Sequence, residues 1–285
     1  MVPGAPPGQG PLAIICGAGS LPFAVADAAG RQGRSVILFA LRGWADPGRI
    51  ESYPHHWVRF GQLGRFSRIA RQEGCRDLVF IGSVVRPAFW QIWPDLAGIG
   101  VMPRIIAMLR GGDDHLMRGI MKVFEDRGFR PIGAHEVAPE ILMPEGALGR
   151  YQPSESQQED IALGLAVLRA IGPFDVGQAT VVAGKHVLAL EAAEGTDEML
   201  GQVAEQRRKG RIRASGGVLV KAPKPSQDRR IDLPTIGPQT IAAAVRAGLA
   251  GIAVVAGEAI MAEPDQMTQA ADRERIFIVG VRQPE

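Results

Sequence analysis

Residues 217–237, GVLVKAPKPSQDRRIDLPTIG, concentrate side chains able to act on a charged substrate. The apolar run GVLV reads as a buried strand. Behind it come Lys221, Lys224, Asp228, Arg229, Arg230 and Asp232, interleaved with Pro223, Pro225 and Pro234. Proline fixes φ and removes a backbone donor, so this loop is expected to be held stiffly at a strand exit. Its chemistry suits a polyanion. Lysines reach phosphate oxygens, arginine offers a bidentate fork, and a carboxylate holds a divalent metal or orients water. The competing reading is a charged loop that simply faces solvent.

Other constellations carry weaker signals. Gly17-Ala18-Gly19-Ser20-Leu21-Pro22 follows a strand and opens a helix, a setting that favours anions. It departs from the dinucleotide fingerprint, because Pro22 stands where a third glycine belongs. The second strand also ends near Arg42, with no acidic residue to hold a ribose. NAD is therefore not expected; a nucleotide fragment at this turn, or a turn without ligand, are the two readings. Gly111-Gly112-Asp113-Asp114-His115 reads as a helix N-cap, or as a carboxylate near a metal or sugar hydroxyl. Glu191, Glu194, Thr196, Asp197 and Glu198 lie where a strand gives way to a helix. The acidic residues complement the helix dipole and Thr196 caps the helix, or Glu194-Gly195-Thr196-Asp197 supplies the oxygen ligands that Mg²⁺ prefers. His55, His56, His115, His135 and His186 form no zinc spacing; His135-Glu136, near the linker, reads first as surface or core, the other reading being a place in an interdomain cleft. Ser83 follows a strand with Arg86 beyond it as an anion contact. The aromatic residues of 89–93, FWQIW, read first as packing; if exposed, they would suit an acyl chain or a membrane interface.

The elements that must position these groups alternate. LAIIC (12–16), SVILFAL (35–41), a short run at 57–60, DLVFIG (77–82) and FRPIG (129–133) read as strands. Helices are expected from Pro22 to Gln32 and over 65–73, 102–110 and 114–127. Strands spaced by helices predict right-handed crossovers and a mostly parallel, Rossmann-like sheet over 11–140. EILMPEGALGRYQPSE breaks the periodicity and makes 141–155 the linker candidate. A mixed α/β domain is expected over 156–285: a helix over 156–170, a hairpin with Gly184-Lys185 at its turn, a helix over 196–208, GVLVKA, a helix from Pro238 to Ala247, and the strands GIAVVA and FIVGV.

Composition narrows the function classes. The 285 residues are 46% hydrophobic and 22% charged, enough for one large or two ordinary domains. Thirty-two basic against 30 acidic residues leave a net charge of +2, with no electrostatic case for non-specific nucleic-acid binding. Cys16 and Cys75 match no metal spacing and read as small buried residues in a reducing compartment. The start, MVPGAPPGQG, lacks the basic and apolar regions of a signal peptide and reads as a disordered tail over 1–10. No apolar run approaches the roughly 18 residues of a membrane span.

At this point a family resemblance becomes specific. GAGSLP (17–22), GDD (112–114), GAHEV (133–137), DIALG (160–164), DVGQATVV (175–182), EAAEGTDEML (191–200), VLVKAPKP (218–225) and RIDLPTIG (230–237) occur in one order. In this the chain resembles the LpxI-type UDP-2,3-diacylglucosamine pyrophosphatases of lipid A biosynthesis in Gram-negative bacteria. The resemblance implies magnesium-dependent hydrolysis of the pyrophosphate of UDP-2,3-diacylglucosamine, giving UMP and 2,3-diacylglucosamine 1-phosphate (lipid X). It also implies an active site at an interdomain cleft and an essential aspartate that matches Asp232. With the residues above, the expected catalytic groups are Asp232, Lys221 and Lys224. Gly17, Gly19, Ser20, Leu21, Arg229, Arg230 and Thr235 are expected to bind substrate, and Asp232, Glu194 and Asp197 to hold Mg²⁺. The expected setting is the cytoplasm; peripheral contact with the inner membrane and homo-oligomerisation are both compatible with it. The alternatives are a non-catalytic nucleotide- or lipid-binding protein, separated by magnesium-dependent UMP release, and a nucleotide-dependent oxidoreductase, separated by NAD(P)H binding.

Overall fold

Apolar runs flanked by glycine build the first sheet. β1 (Leu12–Cys16), β2 (Val36–Leu41), β3 (His55–Val58), β4 (Asp77–Ile81) and β5 (Arg130–Pro131) lie in the order β3-β2-β1-β4-β5, all parallel. The protein is described by a computed structural model covering residues 10–84, 93–101, 113–225 and 227–283. Helices α1 (Leu21–Arg31), α2 (Pro47–Ile50), α3 (Leu63–Gln72) and α4 (Asp113–Glu125) connect these strands, and the short helix α5 (Ala134–Val137) follows β5. This is the Rossmann-like layer expected from the sequence. One strand is displaced: the run read at 57–60 begins at His55, because pairing with β2 runs from Leu38↔His55 to Leu41↔Val58. The helix expected over 102–110 lies outside the described residues, as do Arg86, residues 89–92, Gly111 and Gly112.

Phe39, Phe66, Leu78 and Phe129 pack one apolar cluster of this unit, with Phe39 and Phe66 ring centroids 4.5 Å apart. At the foot of β4, Asp77 is 1% exposed and receives Arg34 (2.6 Å) and Arg130 (2.7 and 2.8 Å). Burial pushes its carboxyl pKa up, but the two guanidinium groups outweigh that and hold it below the usual range. Cys16 and Cys75 are free and buried, the small core residues the sequence suggests, and burial raises both thiols to about 12.

The second sheet has the order β6-β13-β11-β9-β7-β8. It combines β6 (Gly146–Leu148), β7 (Ala179–Ala183), β8 (His186–Leu190), β9 (Val218–Lys221), β11 (Gly251–Val255) and β13 (Phe277–Val281). β9, β11 and β13 are parallel, while β7 and β6 run against their neighbours. A two-stranded ribbon pairs β10 (Thr235–Ile236) with β12 (Ile260–Met261). Helix α6 (Glu155–Ile171) packs Ile161, Leu165 and Leu168 onto Val218 and Val220. Helices α7 (Thr196–Arg208), α8 (Pro238–Arg246) and α9 (Pro264–Glu274) cover the opposite face, which carries Leu219. Within the stretch read as a linker, Gly146–Leu148 is an edge strand antiparallel to β13. Helix α9 carries little apolar periodicity, because only Met267 and Ala271 of its eleven residues are buried. The chain divides into two compact units, Met1–Pro139 with Asp228–Ile231, and Glu140–Gln227 with Asp232–Glu285.

The glycine turn after β1 turns out to be a packing device in its first half. Gly17 N donates to Ile81 O (2.9 Å), and Ala18 and Ser83 exchange backbone hydrogen bonds at 2.8 and 2.9 Å. A Cβ on Gly17 would stand 2.6 Å from the Ser83 carbonyl oxygen and 2.8 Å from Gly82. Gly17→Ala is therefore expected to lower stability by about 1–3 kcal/mol. Gly30→Ala, in the same unit on helix α1 with nothing within 4 Å, should raise it by about 0.5–1 kcal/mol. Urea unfolding of the two variants checks this; equal effects would show that the turn tolerates a Cβ.

Candidate active site

Register aims the candidate residues of the second unit. Side chains alternate along a strand, so Lys221 shares the face of Leu219, toward helix α7, while Val218 and Val220 face helix α6. Ala179 of β7 pairs with Lys221, and Thr180 pairs with Leu190 at the end of β8. Glu191, the next residue, therefore lies level with Lys221, its amide bound to Ala179 O at 2.9 Å. Lys221 is 4% and Glu191 6% exposed.

A polar relay connects them. The Lys221 ammonium donates to Thr196 Oγ1 (3.0 Å) and to the Thr235 carbonyl oxygen (3.2 Å). Thr196 Oγ1 in turn donates to Glu191 Oε1 (2.9 Å), and Gln178 N donates to Glu191 Oε2 (3.1 Å). Burial pushes the Lys221 pKa down, and the charges of Glu191, Asp197 and Asp232 oppose that shift. So Lys221, Asp197, Asp232 and Thr235 from the expected site do gather, joined by Thr196 and Glu191. Thr196 does not cap helix α7, whose N-cap is Gly195 without a side-chain cap; its hydroxyl goes to Glu191 instead, a pairing the sequence alone does not reveal.

The remaining expected residues have other settings. Lys224 Nζ meets Asp175 Oδ1 at 2.5 Å, and Asp175 sits in the left-handed region with φ 54°. Arg230 spends its fork on Asp228 (2.7 Å) and on Glu125 (3.1 Å), an internal use rather than an open phosphate clamp. Arg229 is exposed and belongs with Arg230 to the first unit. Gly17, as above, is committed to the sheet; Gly19 has φ 95°, Ser20 precedes helix α1 without a side-chain cap, and Leu21 begins it. Glu194 and Asp197 are exposed, and Thr235 donates its hydroxyl to Leu233 O (3.2 Å). Glu136 caps its own short helix through Gly133 N (2.7 Å), while burial lowers the pKa of His135. Trp93 is 57% exposed beneath the Arg59 guanidinium.

Among the described residues, no three His, Cys, Asp or Glu side chains converge as a metal cage. The nearby donors are carboxylate oxygens, the type a hard cation takes. Mg²⁺ commonly needs only one or two carboxylates, the rest being water and phosphate. The donor chemistry thus fits magnesium held jointly with a diphosphate.

A Rossmann-like parallel sheet followed by a mixed sheet that holds a buried lysine among carboxylates defines a two-unit α/β protein. Family models for the LpxI N-terminal domain and the LpxI C-terminal domain match residues 11–141 and 144–279. The chain is 43% identical over 272 residues to the UDP-2,3-diacylglucosamine pyrophosphatase LpxI of Caulobacter vibrioides, covering 95% of this chain and 97% of the relative. It belongs to the LpxI family. Among solved structures it is similar to UDP-glucose 4-epimerases of Stenotrophomonas maltophila (12% identity, 42% of this chain and 35% of that one, TM-score 0.28) and Thermus thermophilus (10%, 96% and 87%, TM-score 0.32). Scores of this size carry no argument about ligand or activity.

A double-mutant cycle tests the relay. Glu191→Gln and Lys221→Met are each expected to cost about 3 kcal/mol, since each leaves the other buried charge poorly compensated. The double variant should cost less than the sum, with a coupling of at least about 1 kcal/mol in urea unfolding. Strict additivity would show that the two charges do not support each other.

Proposed function

We propose that this protein hydrolyses the pyrophosphate bond of UDP-2,3-diacylglucosamine to UMP and 2,3-diacylglucosamine 1-phosphate, a step of lipid A biosynthesis. The observation that carries this reading is the end-to-end likeness to the Caulobacter vibrioides pyrophosphatase. A phosphoanhydride resists water because its oxygens are negative, so catalysis means neutralising charge and placing a nucleophile in line.

In this reading Asp232 works at the reacting centre, orienting water or sharing the metal with Asp197 and Glu194. When bound, Mg²⁺ supplies Lewis-acid polarisation of the phosphoryl oxygens. Lys221 contributes its positive charge from within the protein rather than by reaching into solvent, because its ammonium is engaged with Thr196 and Thr235. Glu191 keeps that ammonium compensated and fixes the Thr196 hydroxyl, so both act as positioning residues. Lys224, kept in place by Asp175, is the cation of the same loop that meets the diphosphate. The acyl chains call for an apolar surface, and a cytoplasmic enzyme in peripheral contact with the inner membrane suits them. Among the described residues, no helix is long and apolar enough to cross a membrane.

The test is incubation with UDP-2,3-diacylglucosamine and Mg²⁺ or EDTA, with products identified by mass spectrometry; ¹⁸O-water reports which phosphorus is attacked. UMP and lipid X are expected with Mg²⁺ and not with EDTA. Asp232→Ala should fold, keep substrate affinity and turn over at least about 100-fold more slowly. An intact substrate would overturn the reading, and near-normal turnover by Asp232→Ala would remove that residue from the mechanism.

A further inference from the structure

Asp160 of helix α6 and Thr180 of strand β7 are 4% and 0% exposed, and both direct their side chains to the β7–β8 hairpin rather than to the relay. The Asp160 carboxylate accepts from Gly184 N (3.0 Å) and Lys185 N (2.7 Å), the two central residues of the turn. Both have positive φ, 58° and 63°, the condition of a tight two-residue hairpin turn. The Lys185 ammonium goes to Glu159 (3.1 Å), so Asp160 serves the backbone of the turn. Farther along the hairpin, the Thr180 hydroxyl donates to Ala189 O at 2.8 Å.

Between these two anchors the ladder slips by one residue. From the turn outward the pairs are Ala183↔His186 and Val182↔Val187, and the next are Val181↔Ala189 and Thr180↔Leu190. Leu188 is the extra residue of a β-bulge, and it and Ala189 both pack on the apolar cluster that carries Leu219. The bulge decides where Glu191 points. Directly opposed residues share a face, and a one-residue slip moves a strand's whole set of side chains to the other face. An unbroken ladder from this turn would set Leu190 opposite Ala179, the partner of Lys221, and would send Glu191 to the face of helix α6. With the bulge, Glu191 comes opposite Ala179 and onto the face of Lys221, where Thr196 bonds it.

We propose that Asp160 and Thr180 clamp the hairpin on either side of this bulge and are positioning residues for the Glu191–Lys221 pair. Their effect on turnover rests on the pyrophosphatase reading; the clamp itself is measured without substrate. The Glu191→Gln, Lys221→Met cycle, repeated by urea unfolding in variant backgrounds, tests it, because a general loss of stability lowers all four corners of the cycle alike and cancels. The coupling is expected to fall below about half in Thr180→Val, which keeps the shape and loses the hydroxyl, and to keep its wild-type value in Thr180→Ser. Asp160→Asn should lower it as well, since its amino group would meet one of the two turn amides. Adding Gly184→Asn with Lys185→Gly, a pair that favours this turn unaided, should restore it. In turnover, Thr180→Val should lower kcat at least about tenfold with KM little changed. Full coupling in Thr180→Val or Asp160→Asn, no coupling in the wild type, a loss in Asp160→Asn that the turn pair does not restore, or wild-type kcat in Thr180→Val would overturn the clamp. Wild-type protein that shows this pattern of coupling but leaves UDP-2,3-diacylglucosamine intact would instead remove the proposed hydrolysis and leave the clamp standing.

Discussion

A lysine ammonium buried at the end of β9 is the constraint around which the second unit is arranged. Taking a cation out of water costs several kcal/mol unless other groups replace its hydration. Here the replacements come from four separate pieces of chain: Glu191 after β8, Thr196 and Asp197 at the start of helix α7, Asp232 in the proline-rich loop and the Thr235 carbonyl of β10. Glu191 is brought level with Lys221 by strand pairing rather than by sequence proximity. The antiparallel pairing of β7 with both β8 and β9 is what makes Glu191 and Lys221 neighbours.

The same arrangement explains how acidic residues at a helix start can serve two ends. Asp197 and Glu198 lie in the first turn of helix α7, where negative charge complements the helix dipole. The dipole alone would repel a nearby ammonium, so the carboxylates that favour the helix also make the buried lysine tolerable. A site built this way keeps its charges in place before substrate arrives, the condition under which electrostatic stabilisation of a transition state is most effective.

In the first unit the parallel sheet presents its carboxyl edge, but the loops on that edge differ in what they have left to offer. The β1 turn gives its first two amides to the neighbouring strand and loop, while the β2 turn bonds its Arg42, Trp44 and Ala45 amides to the ends of β3 and β2. Gly17 is required by close approach of two backbones, whereas Gly19 in the β1 turn and Gly43 in the β2 turn, with φ 95° and 90°, need glycine for conformational freedom.

Sequence alone determined the alternation of apolar runs and helices that yields a parallel sheet, the strand leading into Lys221, and the family motifs that point to Asp232. Those features are local: side-chain period, proline and glycine placement, and residue order. Helix α9 and the short strands β6, β10 and β12 escaped because so few of their residues are apolar or because they are only two or three residues long. Which charges serve the site and which serve the fold was a matter for tertiary structure. Arg230 looked like a phosphate fork and binds Asp228 and Glu125, while Glu191 looked like a helix-end acid and compensates Lys221. The reason is physical: a charge acquires its role from the partners that desolvate and pair it, and those partners lie up to 105 residues away in the chain.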